Sequence, residues 1–228
     1  MSVSLDFSES WKGAYPGAAI GILAIRSASN LTPGPALKVS LRSLEAKLRD
    51  RYAGQSRRDL ENLSTLRPYV EHYRRFGKTY HILLQLESVA RQGRPLAGGD
   101  SLVSAMFAAE LDNLLLTACH DLEALRPPLV ADVTDVDERY LGIGERELGV
   151  KPGDMSIRDT NGIISTVLYG PDHRTRLTPD TRSVLFTTYA PAGIPDSEIN
   201  RHLREIEALV RADSPSAMTE VLGVCRPG

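Results

Sequence analysis

Cysteine is scarce in this chain: Cys119 and Cys225 are the only two in 228 residues. They lie far apart and have no metal-ligand spacing, which argues against a disulfide framework and against a cysteine-built structural zinc site. Other signatures are missing as well. No phosphate loop, dinucleotide fingerprint, His-Glu-x-x-His or Gly-x-Ser-x-Gly elbow occurs, so no metal and no cofactor is expected. Long hydrophobic runs are lacking: the longest, residues 17–25, is too short to span a bilayer. Residues 1–9 have neither the basic nor the apolar region of a signal peptide. Together these features lead us to expect a cytoplasmic protein with no membrane partner. Positive charge is not in excess either: 27 Lys and Arg face 29 Asp and Glu, for a formal net charge of -2. A dedicated nucleic-acid binder usually carries a surplus of basic residues, so any RNA contact has to be local.

What is present suits a soluble globular chain. Hydrophobic residues make up 42% and charged ones 25%. The length accommodates one domain spanning 1–228, read as helix-rich 1–126, strand-rich 127–192, a C-terminal helix 193–213 and a tail 214–228. Residues 18–25 are apolar without alternation and read as a strand buried on both faces. After the break around Pro33, Gly34 and Pro35, helical spacing of Leu37, Leu41, Leu44 and Leu48 predicts an amphipathic helix over 36–52. Further helices are expected over 57–66, from Pro68 to Phe76, over 79–92 with Thr79 as cap, and over 101–111. Residues 114–118 fit either a strand or the end of that last helix, which periodicity alone does not separate.

Beyond Pro127-Pro128 the composition shifts to short β-branched and aromatic runs divided by glycines, which read as strands and hairpins. Asn161-Gly162 suits a tight hairpin joining 155–158 to 163–169, and Gly170-Pro171-Asp172-His173 a second reversal leading into 174–177. Thr178, Pro179 and Asp180 look like a turn and cap before a short helix. Residues 184–189 form a further strand, and 196–212 a helix with Ile199, Leu203, Ile206 and Leu209 on one face. The fold class is α/β in composition with an α+β layout: a mixed twisted sheet or sandwich-like core covered by helices.

Several landmarks occur in a recognisable order: Leu86 to Gly93; Ser101 to Phe107; Leu114-Leu115-Leu116-Thr117-Ala118-Cys119-His120-Asp121; Lys151-Pro152-Gly153-Asp154-Met155; and Tyr169-Gly170-Pro171-Asp172. In order and spacing they resemble the editing and tRNA-binding region of the phenylalanyl-tRNA synthetase beta subunit, over roughly the middle and C-terminal two-thirds of the chain. The chain departs from the family where chemistry is expected. Ala118 stands at the position of the family's editing histidine, and Ser104 and Phe107 replace an aspartate and an asparagine. A fold can be inherited without its reaction.

The resemblance implies a free-standing relative of the editing domain that binds an aminoacylated tRNA 3′ end or a free amino acid and hydrolyses a mischarged ester. A complete tRNA ligase is not implied, because no ATP-binding catalytic domain fits in this length. The competing reading is a non-catalytic module on the same fold that binds an amino-acid-like small molecule. For chemistry, His120 beside Asp121 is the catalytic candidate, with a structural histidine as the alternative; as strand neighbours the two point to opposite faces and do not pair. The resemblance places Glu110 and Asn113 near the mouth of the substrate pocket, and Asp154, Arg158 and Tyr169 on strands lining it. Arg67, Arg74, Arg75 and Lys78, interleaved with Tyr69, Tyr73, Phe76 and Tyr80, are the candidate RNA contacts. The alternative for them is a surface helix with solvated arginines and inward-packed tyrosines.

Overall fold

The computed structural model describes residues 3–96 and 98–228. The chain opens with β1 (Leu5–Phe7) and α1 (Glu9–Ala14), the latter capped by Ser8, whose hydroxyl accepts the Trp11 N–H at 3.0 Å. β2 (Ala19–Arg26) is buried throughout except at Arg26, as its unbroken apolar run requires. The helices α2 (Pro35–Tyr52), α3 (Arg57–Glu61), α4 (Arg67–Arg75), α5 (His81–Ala90) and α6 (Ser101–Asn113) follow. α3 ends earlier than its pattern predicts because Asn62 caps it, the side-chain amide donating to the Arg58 carbonyl at 2.8 Å. α5 starts after Tyr80, not at Thr79.

α6 continues past Leu111 and stops where Leu114 turns left-handed at φ 62°, its N–H donating to the Glu110 carbonyl at 2.7 Å. Such a conformation costs a non-glycine residue about 1–2 kcal/mol, and here burial of the leucine side chain holds it. The chain then enters β3 (Leu116–Asp121), so the ambiguous stretch is a strand.

The second half supplies β4 (Leu129–Val133), β5 (Arg139–Leu141), β6 (Glu147–Gly149), β7 (Met155–Asp159), β8 (Gly162–Thr166), β9 (Gly170–Pro171), β10 (Val184–Ala190), α7 (Asp196–Asp213) and β11 (Met218–Cys225). Asn161-Gly162 forms the expected hairpin, pairing Asp159 with Gly162, whose φ is 121°. Two expectations do not hold. Residues 218–225, read as tail, are a strand that pairs with β2, and residues 174–177 form no strand because Thr175 is drawn into hydrogen bonds with Asp172 and Asp121. Thr178 to Thr181 is a turn, closed by the Thr178 N–H on the Thr181 hydroxyl at 2.9 Å, and no helix follows it.

The layout is α+β. A four-stranded antiparallel sheet has the order β11-β2-β10-β3, and a five-stranded sheet the order β1-β4-β7-β8-β9, in which only β1 and β4 are parallel. β5 and β6 form a separate hairpin. Tyr189 of β10 and Ser165 of β8 share a hydrogen bond of 2.7 Å between hydroxyls, linking the two large sheets. α7 lies on β2 closely enough to dictate a glycine: a Cβ at Gly21 would stand 2.6 Å from Cγ2 of Ile199 and 3.3 Å from Cδ1 of Leu203. α6 packs on α7 and joins β3, and α2 packs on α5, α6 and α7. One contiguous hydrophobic core draws on residues from Leu5 to Ala217. Cys119 and Cys225 are both free thiols. Among the described residues no helix is long and apolar enough to cross a membrane.

Candidate functional site

α6 turns one stripe, Val103, Met106, Phe107 and Glu110, toward a cavity of about 160 Å³. These positions are spaced i, i+3, i+4 and i+7, the spacing of a single helix face, and the stripe is apolar until its last member. Leu116, Ala118 and Cys119 of β3 form the adjoining wall, and Val167, Gly170 and Pro171 bring the turn between β8 and β9 over it. Ile143, from the loop between β5 and β6, also borders the cavity although 52% of its surface is exposed. An apolar cavity of roughly 150 Å³ holds a molecule the size of benzene.

Glu110 is the carboxyl of this wall and is 1% exposed. Its Oε1 accepts the Thr117 N–H at 2.7 Å, across the junction from helix to strand, while Oε2 is buried without a partner. Burial pushes its pKa up to about 8, opposed by the Thr117 N–H. At neutral pH the group is therefore a neutral acid, with one oxygen fixed by the backbone and the other free to meet a ligand. A buried polar atom left unpaired costs about 1–3 kcal/mol, which a polar ligand group recovers.

His81, at the start of α5, lies on the same wall. Tyr73 donates its hydroxyl proton to the Val167 carbonyl at 2.6 Å, so the 3.1 Å contact between Tyr73 and Nδ1 of His81 places a hydrogen on Nδ1. Nε2 is then an acceptor, and it makes no hydrogen bond among the described residues. Burial pushes the imidazole down to about 4, keeping it neutral. Sequence reasoning passed over His81, whose one signal is its place at the first turn of a helix directly after Tyr80.

Of the residues expected around a pocket, Glu110 lines the cavity and the others do not. Asn113, one turn further along α6, turns to α7 and donates to Oε2 of Glu205 at 2.7 Å. Asp154 is fully buried behind the site: Oδ1 receives Nε2 of His72 at 2.9 Å and Oδ2 the Leu168 N–H at 2.9 Å, tying α4 to the chain after β8. Arg158 ion-pairs with Asp132 at 2.9 Å and Glu138 at 2.6 Å. Tyr169 is half-buried, next to Gly170 in sequence, with Nζ of Lys78 3.8 Å above its ring.

His120 has no exposed surface and does not border the cavity. Its Nδ1 meets the Thr175 hydroxyl at 2.8 Å, and that hydroxyl donates to Asp172, so the Nδ1 hydrogen points to Thr175 and Nε2 is left buried and unpartnered. Burial pushes its imidazole down to about 3. It pairs with Thr175 and not with Asp121, as strand alternation requires.

No protein-family model matches the chain. No curated protein matches it in sequence. Among solved structures, the chain is similar to the crystal structure of an N-terminal fragment of the phenylalanyl-tRNA synthetase beta-subunit from Pyrococcus horikoshii, with 12% identity and a TM-score of 0.48 over 96% of this chain and 50% of that one. The chain thus spans half the length of that fragment.

The expected RNA contacts have different surroundings. Tyr69, Tyr73 and Tyr80 are buried, and Tyr69 and Tyr80 stack with ring centroids 4.8 Å apart, so these tyrosines serve the core and offer no face to a base. Arg67 and Arg74 are exposed and each faces a carboxylate at 3.5 Å, Glu71 and Glu61 respectively. Arg75 lies over the Tyr15 and Phe76 rings at 5.6 and 5.8 Å. Burial, and after it the charge of Lys151, holds the Lys78 ammonium below its ordinary pKa. Of these four, Lys78 packs on Tyr169, the residue before Gly170 of the cavity wall.

Proposed function

We propose that the cavity receives the side chain of an amino acid esterified to a tRNA 3′ end, and that the protein hydrolyses that ester. The observation that carries this reading is convergence. Three of the five segments that bear the resemblance to the synthetase editing region come from two separate stretches of the sequence: Ser101 to Phe107 with Leu114 to Asp121, and, some fifty residues on, Tyr169 to Asp172. All three contribute to one cavity, and Ala118 and Phe107, two of the three substituted positions, stand on its wall, while Ser104 donates its hydroxyl to the Gly99 carbonyl at 3.0 Å and does not border it. Its volume suits an apolar side chain, and Oε2 of Glu110 suits one polar group on it. Lys78 and Lys151 supply positive charge close to Tyr169, where a nucleotide phosphate would approach.

With Ala118 at the family's histidine position, the group on this wall able to take a proton from water is Nε2 of His81. Water would attack the ester carbonyl carbon as its proton passes to Nε2. The bond to the ribose oxygen would then break, and the imidazolium would return the proton to that oxygen. Much of the acceleration would come from holding water and ester together. The test is deacylation of a panel of aminoacyl-tRNAs by the wild type, His81→Ala and His120→Ala. Release by the wild type and by His120→Ala, with His81→Ala slower by roughly 100-fold or more, is the expected result. No release by the wild type with any substrate overturns the reading.

A second reading, a non-catalytic module for an amino-acid-like small molecule, draws on a specific observation. Ala118, Ser104 and Phe107 stand where the family carries histidine, aspartate and asparagine, and His120 is sealed in a hydrogen bond to Thr175. Binding of free amino acids without release from any aminoacyl-tRNA would favour it.

A further inference from the structure

α4 separates the cavity from a second concavity, for Tyr73 reaches the cavity side through His81 while its neighbour His72 lines a cleft of about 250 Å³. His72 is buried, and Nε2 donates to Oδ1 of Asp154 at 2.9 Å; Asp154 is itself fixed by the Leu168 N–H. The ring is thereby oriented, and its Nδ1 makes no hydrogen bond among the described residues. On the same cleft Arg75 rests on the Tyr15 ring, with its centre 5.6 Å from the centroid. Unlike Arg67 and Arg74 of the same helix, Arg75 has no carboxylate within ion-pair distance among the described residues. Glu71 also borders the cleft, but Arg67 faces its carboxylate at 3.5 Å.

A guanidinium laid on an aromatic ring and left without an internal anion retains its forked donors for an external one, and that fork matches phosphate geometry. The imidazole beside it, its Nε2–H held by Asp154, presents Nδ1 as an acceptor for the hydroxyl of a singly protonated phosphate monoester. The rest of the lining includes Pro16, Pro68, Met155 and Pro191, which suits an organic body more than a bare ion. We propose that this cleft binds a phosphate ester, its phosphate held by Arg75 and His72 and its organic part against the prolines. The shared chemistry admits a free mononucleotide or the terminal nucleotide of an RNA strand. The proposal is independent of what the cavity holds.

Titration calorimetry of the full chain with inorganic phosphate, adenosine 5′-monophosphate and a single-stranded RNA tetramer tests it, on the wild type, Arg75→Gln and Arg67→Gln. The nucleotide or the tetramer is expected to bind, about tenfold or more weakly in Arg75→Gln and unchanged in Arg67→Gln, all three proteins melting alike. The ring nitrogens of His72 should shift in nitrogen NMR when either ester is added. Tighter binding of the tetramer identifies a strand end as the source, and tighter binding of the nucleotide a free metabolite. The proposal is overturned if neither ester binds up to about 10 mM. Binding of inorganic phosphate alone, affinity insensitive to Arg75→Gln, or unmoved His72 signals also overturns it. Because no ester hydrolysis is measured, its failure leaves the deacylase reading untouched.

Discussion

Glu110 and Thr117 are joined across the turn between α6 and β3: one carboxyl oxygen accepts the strand's N–H at 2.7 Å and the other faces no protein partner. The left-handed Leu114 between them reverses the chain and brings the strand amide onto the helix side chain. One oxygen of the residue thus serves the fold and the other is left unpaired.

This arrangement gives stability a pH dependence. The folded pKa of Glu110, raised to about 8, lies above the unfolded value, so its relative stabilisation is present below the unfolded carboxylate pKa and is lost as pH rises through about 8. Glu110→Gln keeps an acceptor for Thr117 and cannot ionise. In urea unfolding it should match the wild type near pH 5 within about 1 kcal/mol and become progressively the more stable protein as pH rises toward about 8, beyond which the gap stays constant. Parallel curves for the two proteins across that range would contradict the assignment.

The buried histidines act in the other pH direction. His120 and His202 are both fully buried, and burial pushes each imidazole down to about 3. The unfolded chain takes up protons near the ordinary histidine pKa of about 6.5 while the folded one does not, so stability falls as pH drops below that value. Each contributes up to about 1.4 kcal/mol per pH unit within the window. Unfolding free energies measured from about pH 7 to about pH 5 should decline, and His120→Gln should reduce the slope.

Gly21 shows a requirement that no local pattern carries. Within an apolar strand a glycine only weakens the pattern, yet α7 lies where its Cβ would be. Gly21→Ala should cost about 1–3 kcal/mol by overpacking, read as a lowered urea midpoint. An unchanged midpoint would mean that α7 is free to shift.

Much of the fold was legible because single elements bear their own pattern. β2 declared its two-sided burial, α2 and α7 their apolar stripes, and Asn161-Gly162 its hairpin. β11 was not legible, since Met218 to Cys225 mixes polar and apolar residues as a half-covered edge strand does, and its pairing with β2 and packing on α7 order it. The site divides in the same way. Glu110 could be singled out through the resemblance, which places it near the pocket mouth, and the structure adds that it completes a stripe of α6. His81 and Ile143 could not, because they reach the cavity from a distant helix and a loop through tertiary packing alone. His120 drew attention through its neighbour Asp121, but burial and Thr175 set its role.

The most direct measurement is single-turnover deacylation of an aminoacyl-tRNA panel by the wild type, Ala118→Leu and Glu110→Gln. Ala118→Leu fills the cavity and should slow release of every amino acid, while Glu110→Gln should change the order of preference between side chains with and without a polar group. Rates and preferences unaffected by both substitutions would contradict the claim that the cavity receives the amino-acid side chain.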